Sequence, residues 1–285
     1  IGLNDSGYCI SSESVALGSY QYLREVNNGE LVKLNTNGLK TIYQNKNYSQ
    51  VCLFEYIYLQ NKNSKASSKH LQIEYENNYC SVEDIRIKFG DILGKKETNH
   101  LYHKIDEIIV IGAPNTGIPI GKAFAKAQSF SYQQFLIKNR NSNRSFILKD
   151  NKSRLLEISK KFSVDLNVNI KNKIIFFVDD SLVRGNTVKG IIKILKSYQP
   201  KEIHFRIASP EVKFPCYNGI DIPTKDELIM NHFSKEELSE ELEIDSIKFL
   251  LESDMHKILK DKINLEKKEI CMSCFNGSYS VNIDF

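Results

Sequence analysis

No run of apolar residues in this 285-residue chain reaches the length of about twenty that a membrane-crossing helix needs. No internal repeat of useful period is present, which excludes solenoids and propellers. The start, Ile1-Gly-Leu-Asn-Asp5, turns polar within a few residues and does not read as a signal peptide. Neither sign of charge dominates, with 39 Lys and Arg against 35 Asp and Glu for a formal net charge of +4. The lysines lie scattered among Asn and Glu, without a basic stripe and interleaved aromatics. Nucleic acid is therefore not an expected partner, and neither is a membrane. Residue 1 is Ile where a translated chain has Met, so the chain reads as processed or truncated. What is present suits a globular protein. Apolar residues make up 41%, enough for a substantial core. The length fits one large domain, or one domain plus fragments. A cytoplasmic protein is the expectation, and there its six cysteines argue against disulfides.

The most informative stretch runs from Ile174 to Thr187. An apolar run, Ile174 to Val178, ends in two adjacent carboxylates, Asp179 and Asp180. A short polar loop with one glycine, Gly185, follows, and then an apolar-periodic segment from Val188 to Tyr198. The run is bounded as a buried parallel strand should be, and the segment after it reads as a helix. A loop entering a helix N-terminus presents free backbone N–H groups and a positive dipole end, which suit a phosphate. Acids at the strand exit can accept hydrogen bonds from vicinal sugar hydroxyls or approach Mg2+. Together these features describe a ribose 5-phosphate site. A plain helix cap would account for the Asp pair alone but not for the whole string.

Other segments supply the frame. Asp106 to Gly112 is a second buried strand, followed by the loop Ala113-Pro-Asn-Thr-Gly117 and a helix from Ile118 to Gln128. Further strands are expected over Val51 to Tyr58, Tyr132 to Ile137 and Glu202 to Ala208, and a helix over Val82 to Leu93. Short strands with a turn at Asn28-Gly29 are expected near the start. Residues 60 to 80, rich in Asn, Lys and Ser, read as loop. From Thr224 on the chain reads as helical, with capping boxes at Thr224–Glu227 and Ser234–Glu237. Alternating strands and helices imply an α/β fold with a mostly parallel sheet and right-handed crossovers. Ligands then sit beyond the carboxyl ends of the strands, at the loops of Pro114, Asp179 and Ser209.

The loop at Asn115, Thr116 and Gly117 suits pyrophosphate held by backbone N–H groups, although an ordinary strand-to-helix turn looks the same. Lys138, Arg140 and Arg144 place three cations within seven residues. They would answer the charge that develops on a leaving pyrophosphate, or simply form a solvated loop. Cys271-Met-Ser-Cys274 is a C-x-x-C pair, weak evidence by itself for redox chemistry or a metal. His204, inside an apolar strand, reads as a core or edge residue.

Val178-Asp-Asp-Ser-Leu-Val-Arg-Gly-Asn-Thr187 resembles the phosphoribosyl-pyrophosphate loop of the type I phosphoribosyltransferases. Within them it looks like the V-D-D-S-I-V-R-G-T-T of the amidophosphoribosyltransferases, which open purine synthesis. Lys138-Asn-Arg-Asn-Ser-Asn-Arg-Ser-Phe-Ile147 resembles that family's mobile loop K-N-R-Y-V-G-R-T-F-I. Cys271-Met-Ser-Cys-Phe-Asn-Gly277 resembles the C-L-A-C-F-T-G of its iron–sulfur branch. The chain departs from the family at Leu182 and Asn186, at Asn115-Thr116 in place of Asp-Ser, at Asn141 in place of Tyr, and at Asn143 in place of Gly.

The resemblance implies a type I phosphoribosyltransferase fold, a mostly parallel sheet flanked by helices. It implies three segments: residues 1–48 as a β-rich tail of an N-terminal-nucleophile glutaminase domain, 49–230 as the phosphoribosyltransferase domain, and 231–285 as a helical C-terminal segment. Asp179 and Asp180 would hold the ribose hydroxyls and, with Thr116, Mg2+. Ser181, Arg184, Gly185, Asn186 and Thr187 would cradle the 5′-phosphate. Asn115, Thr116 and Gly117, with Lys138, Arg140 and Arg144, would hold pyrophosphate. Cys52, Cys216, Cys271 and Cys274 fill the four ligand positions of a 4Fe-4S cluster. Four thiolates also admit zinc, and plain thiols remain open.

The implied reaction displaces pyrophosphate from phosphoribosyl pyrophosphate by ammonia, giving 5-phosphoribosylamine. Ser12 to Ala16 and Tyr22 to Val26 resemble the end of the glutaminase domain. That domain's cysteine nucleophile must be the first residue; here residue 1 is Ile and Cys9 is internal, so glutamine hydrolysis is not expected of this chain. Purine nucleotide inhibitors and a homo-oligomer are further implications. The alternatives are another phosphoribosyltransferase, acting on a nucleobase, and a non-catalytic relative that binds the ribose phosphate.

Overall fold

The computed structural model describes residues 1–45, 50–66, 80–97, 102–139, 161–222 and 224–280. The chain divides into two compact units, Ile1–Ile85 with His256–Cys271, and Arg86–Met255 with Met272–Phe285. This division by compactness cuts the chain elsewhere than the three segments implied by family resemblance, which are a different kind of boundary. Among the described residues no helix is long and apolar enough to cross a membrane.

The first unit is β-rich. Strands β1 (Gly2–Asn4), β2 (Gly7–Cys9) and β3 (Gln21–Tyr22) form an antiparallel sheet in the order β2-β1-β3. Strands β4 (Glu30–Asn35) and β5 (Gly38–Gln44) pair as a hairpin. The expected turn at Asn28-Gly29 precedes β4, with Gly29 at φ +72°. Beside it Arg24 and Glu30 form a 2.8 Å ion pair, whose hydrogen bond from Arg24 holds the Glu30 carboxyl down at about 2. Strand β6 (Val51–Cys52) pairs in parallel with β14 (Ile270–Cys271), which makes Cys52 and Cys271 direct cross-strand neighbours.

The strand expected over Val51 to Tyr58 stops at Cys52, and the chain is helical through Leu59. Leu53, Tyr56 and Ile57 are all buried, a helical spacing of i, i+3 and i+4. A short apolar run does not by itself separate a strand from a buried helix.

The second unit carries a five-stranded sheet of order β13-β12-β11-β7-β8. Its strands are β7 (Ile108–Gly112), β8 (Ser131–Tyr132), β11 (Ile174–Asp179), β12 (Glu202–Ile207) and β13 (Ser246–Phe249). All four pairings are parallel. Among the described residues its helices are α1 (Val82–Lys95, entering from the first unit), α2 (Gly117–Gln128), α3 (Asn186–Ser197), α4 (Lys235–Leu242) and the single turn α6 (Ser273–Asn276), while α5 (Glu252–Ile263) starts here and runs on into the first unit.

Strand alternation divides the core between the two faces. Ile175, Phe177, Ile203 and Phe205 join one cluster with Val188, Ile191, Ile192 and Leu195 of α3 and Leu238 and Leu242 of α4. Phe176 points the other way and meets Phe124 and Phe130, each at 5.5 Å between ring centroids, and the His204 ring at 4.9 Å. That face brings α1 and α2 close together. A Cβ on Gly90 would stand 2.1 Å from the Ile120 carbonyl oxygen, so only glycine allows the approach.

Two expectations are corrected here. Tyr132 to Ile137 is not one strand: β8 ends at Tyr132, and β9 (Leu136–Lys138) pairs antiparallel with β10 (Phe162–Val164) outside the main sheet. The stretch beyond Thr224 is not wholly helical, since it supplies the edge strand β13 and also β14. Of the two capping boxes, Ser234–Glu237 forms both reciprocal bonds. Thr224 makes no capping bond to the backbone and meets the Glu227 carboxylate instead.

Candidate functional site

The neighbouring parallel strands β7 and β11 end at the same edge of the sheet, and each leads through a short loop into a helix. Val178 pairs with Gly112, and the Ala113 N–H donates to the Val178 carbonyl at 2.8 Å. One residue on, Asp179 closes β11 opposite Ile207, and its carbonyl accepts from the Ala208 N–H at 3.0 Å. Three strand exits therefore converge on the Asp pair, at Ala113, Asp179 and Ala208.

The loop after β7 lies tightly against this corner. A Cβ on Gly117 would stand 2.8 Å from the Val178 carbonyl oxygen and 3.4 Å from the Asp179 Cα. The Pro114–Asn115 peptide is cis. Helix α2 then starts at Gly117, and its N-cap Thr116 makes no side-chain capping bond. Helix α3 starts at Asn186 from the N-cap Gly185, which has no side chain with which to cap. Both helix starts at this edge thus leave backbone N–H groups uncapped by side chains, an arrangement that favours anions.

Gly185 is required for two reasons. Its φ is +77°, and a Cβ there would stand 2.3 Å from the Ile229 Cδ1. Asn186 and Thr187 are exposed in the first turn of α3, where their side chains can supplement the amides. The Asp180 N–H donates to the Asp179 Oδ1 at 2.8 Å, and the Ser181 hydroxyl donates to the Asp180 Oδ1 at 2.6 Å.

Asp179 is half-buried and Asp180 is only 7% exposed. Burial raises both carboxyls above the ordinary range, and for Asp179 the Asp180 charge adds to it. For Asp180, the Ser181 hydroxyl and the Arg86 charge pull the other way without cancelling burial. Two carboxylates crowded at an edge lined with uncapped amides would be relieved by a bound cation or by hydroxyl donors.

The structure brings together Asp179, Asp180, Ser181, Gly185, Asn186 and Thr187, with the loop of Asn115, Thr116 and Gly117 against them. Arg184 belongs to the same loop, but its guanidinium pairs with Glu227 at 2.6 Å. Lys138 lies at the end of β9, paired across to Phe162 and exposed. Arg140 and Arg144 fall outside the described residues.

Among the cysteines, Cys52 and Cys271 are strand partners, and burial pushes the Cys52 thiol up to about 11. In the second unit the Cys274 carbonyl accepts from the N–H groups of Lys213 and Phe214, both at 3.0 Å, two residues before Cys216. Among the described residues no group of three or more His, Cys, Asp or Glu is arranged to hold a metal ion.

A buried ionic network escaped the sequence reading. Arg206, 2% exposed, donates from Nε to Glu97 at 2.5 Å and from Nη1 to the Ser246 hydroxyl at 3.0 Å. Lys248 reaches Glu97 at 2.8 Å. Burial alone would raise Glu97, but Arg206 and Lys248 outweigh it and hold the carboxyl below its usual value. An Arg inside an otherwise apolar strand was the available signal. His204 sits beside this network as expected of a core residue, bonded to the Ser246 hydroxyl and to Glu202.

No family model matches the chain. Curated relatives do. Over 98% of its length the chain is 33% identical to the amidophosphoribosyltransferase of Homo sapiens, covering 56% of that protein. Over 99% of its length it is 30% identical to the amidophosphoribosyltransferase of Bacillus subtilis, again covering 56% of that protein. The chain thus spans about half the length of the curated relatives it matches. Among solved structures it is similar to the glutamine phosphoribosylpyrophosphate amidotransferase from B. subtilis complexed with ADP and GMP, with TM-score 0.79 and 30% identity over 96% of this chain and 57% of that one. The parallel sheet and its helices are shared with that structure, so the type I phosphoribosyltransferase fold expected from the sequence is the fold found.

Proposed function

We propose, for a chain homologous over nearly its whole length to part of amidophosphoribosyltransferase, that the site binds phosphoribosyl pyrophosphate and transfers its phosphoribosyl group to ammonia. The observation that carries this reading is the Asp179–Asp180 pair at the carboxyl edge of the sheet, flanked by the uncapped starts of α2 and α3. The α3 amides with Ser181, Asn186 and Thr187 would hold the 5′-phosphate. The Asn115–Gly117 loop at the start of α2 would hold the pyrophosphate, joined by Lys138, Arg140 and Arg144. Asp179 and Asp180 would accept the ribose hydroxyls.

Neutral ammonia needs no general base. Its nitrogen lone pair forms the new bond to the anomeric carbon, the bond to the pyrophosphate oxygen breaks, and the spare proton passes to solvent. Positioning and charge stabilisation supply the catalysis.

Magnesium fits this site. Its holders would be Asp179 and Asp180 with Thr116, and it would neutralise charge on the departing pyrophosphate. Magnesium keeps waters and substrate phosphates as ligands, which suits a site offering few protein groups. A 4Fe-4S cluster on Cys52, Cys216, Cys271 and Cys274 is proposed from the family resemblance. The strand pairing of Cys52 with Cys271 is compatible with it.

Also proposed are a glutaminase domain tail at 1–48, a phosphoribosyltransferase domain at 49–230 and a C-terminal segment at 231–285, with a cytoplasmic setting and a homo-oligomer. Purine nucleotides are proposed as regulators because the solved relative was complexed with ADP and GMP.

The deciding assay is ammonia-dependent pyrophosphate release from phosphoribosyl pyrophosphate with Mg2+. Release by wild type, and its loss in Asp179→Asn/Asp180→Asn, is the expected result. Tight binding without release would make the protein a sensor, and no binding would end the reading.

A further inference from the structure

Arg184 stands in the loop that aims the α3 amides, yet its charge is already answered. Its Nε donates to the Glu227 Oε2 at 2.6 Å, and its Nη2 lies 3.4 Å from the Asp221 carbonyl oxygen and 3.8 Å from that residue's carboxylate. The Thr224 hydroxyl donates to the other Glu227 oxygen at 3.4 Å. Two further contacts join the same pair of segments. The Ile229 N–H donates to the Val183 carbonyl at 2.9 Å, and the Ile229 side chain lies where a Cβ on Gly185 would be. Val183, Arg184 and Gly185 are therefore each held by the stretch that carries Asp221, Glu227 and Ile229.

We infer that Glu227 is a positioning residue that acts through Arg184, and that Arg184 latches the phosphate loop rather than binding the phosphate. The inference rests on the phosphoribosyl-pyrophosphate reading above. Its physical basis is the geometry of Gly185. A glycine at positive φ is the joint that the loop bends about, and three consecutive residues pinned to one wall keep it from bending. A loop already set to receive phosphate loses less entropy on binding.

Calorimetric titration with phosphoribosyl pyrophosphate and Mg2+, alongside ammonia-dependent kinetics, tests it on wild type, Glu227→Gln, Arg184→Met and the double variant. Loss of one exposed ion pair predicts a rise of about three- to fivefold in Kd and KM for Glu227→Gln, with kcat within about twofold. The double variant should bind no more weakly than the weaker single variant, because one latch is lost once. Equal or tighter binding by Glu227→Gln overturns the inference, for it would mean that the acid competes with phosphate for Arg184. So would a loss in Arg184→Met many times that in Glu227→Gln, which would place Arg184 on the phosphate. Wild type that binds no phosphoribosyl pyrophosphate refutes the functional reading and leaves the latch nothing to serve. Wild type that binds, with variants that do not follow the pattern, refutes the latch alone.

Discussion

Asp179 and Asp180 share a corner at the end of β11, and the crowding makes their protonation a stability term. In the unfolded chain both ionise near pH 4. In the fold, burial raises both, Asp180 to about 6. Over that window the folded protein holds protons that the unfolded chain has released, so this pair erodes stability as pH rises from about 4 through about 6. Asp179→Asn removes one member. It should be more stable than wild type at pH values above this window, with the difference vanishing below about pH 4. Urea unfolding at the two ends of the window measures it, and a variant less stable than wild type at pH 7 would contradict the assignment. Magnesium binding to the wild type should strengthen over the same rise in pH, as the carboxyls ionise, which titration at pH 5 and pH 7.5 would show. The motif was legible as a string of residues. The raised carboxyls were not, because they come from burial that several separate strands create.

At the scale of elements, glycines decide how closely helices and loops approach. Gly185→Ala meets both an unfavourable φ and the Ile229 side chain, and should cost about 1–3 kcal/mol. In an Ile229→Ala background, itself destabilised because Ile229 is buried, Gly185→Ala should cost less than in wild type but not nothing, since the contact is relieved and the φ is not; a double-mutant cycle of thermal melts reads the difference. Gly90→Ala on α1 drives a methyl into the Ile120 carbonyl and should cost about 2–4 kcal/mol. The parallel strands β7, β11 and β12 and the helices α1, α2 and α3 were readable because each has its full period and clear boundaries. The run after Val51 was not, because its apolar residues satisfy both a strand and a helix. Strand β13 was hidden by its length of four residues, among helical signals on both sides.

For the molecule as a whole, the buried Arg206–Glu97–Lys248 network ties the segment just after α1 to the edge strand β13 and its neighbour β12. Glu97→Gln leaves Arg206 buried without its counter-charge and should cost about 3–5 kcal/mol, read as a shift in urea midpoint. Hydrophobic replacement of all three together should cost less. The cysteines are tested by composition. Protein purified anaerobically should carry iron and acid-labile sulfide, and Cys271→Ser should lower both. Zero iron in the wild type would reject the cluster, and zinc in its place would answer to the same four thiolates.

The sequence by itself determined the run β7, α2, β11, α3 and β12, the acid pair at a strand exit and the glycine that opens α3, because each is set by residues adjacent in the chain. Tertiary structure alone decided that Arg184 faces Glu227, that Arg206 has a buried partner and that Cys52 stands beside Cys271. Those pairings join residues from 43 to 219 positions apart, and only packing brings such groups within a hydrogen bond or a strand spacing of one another.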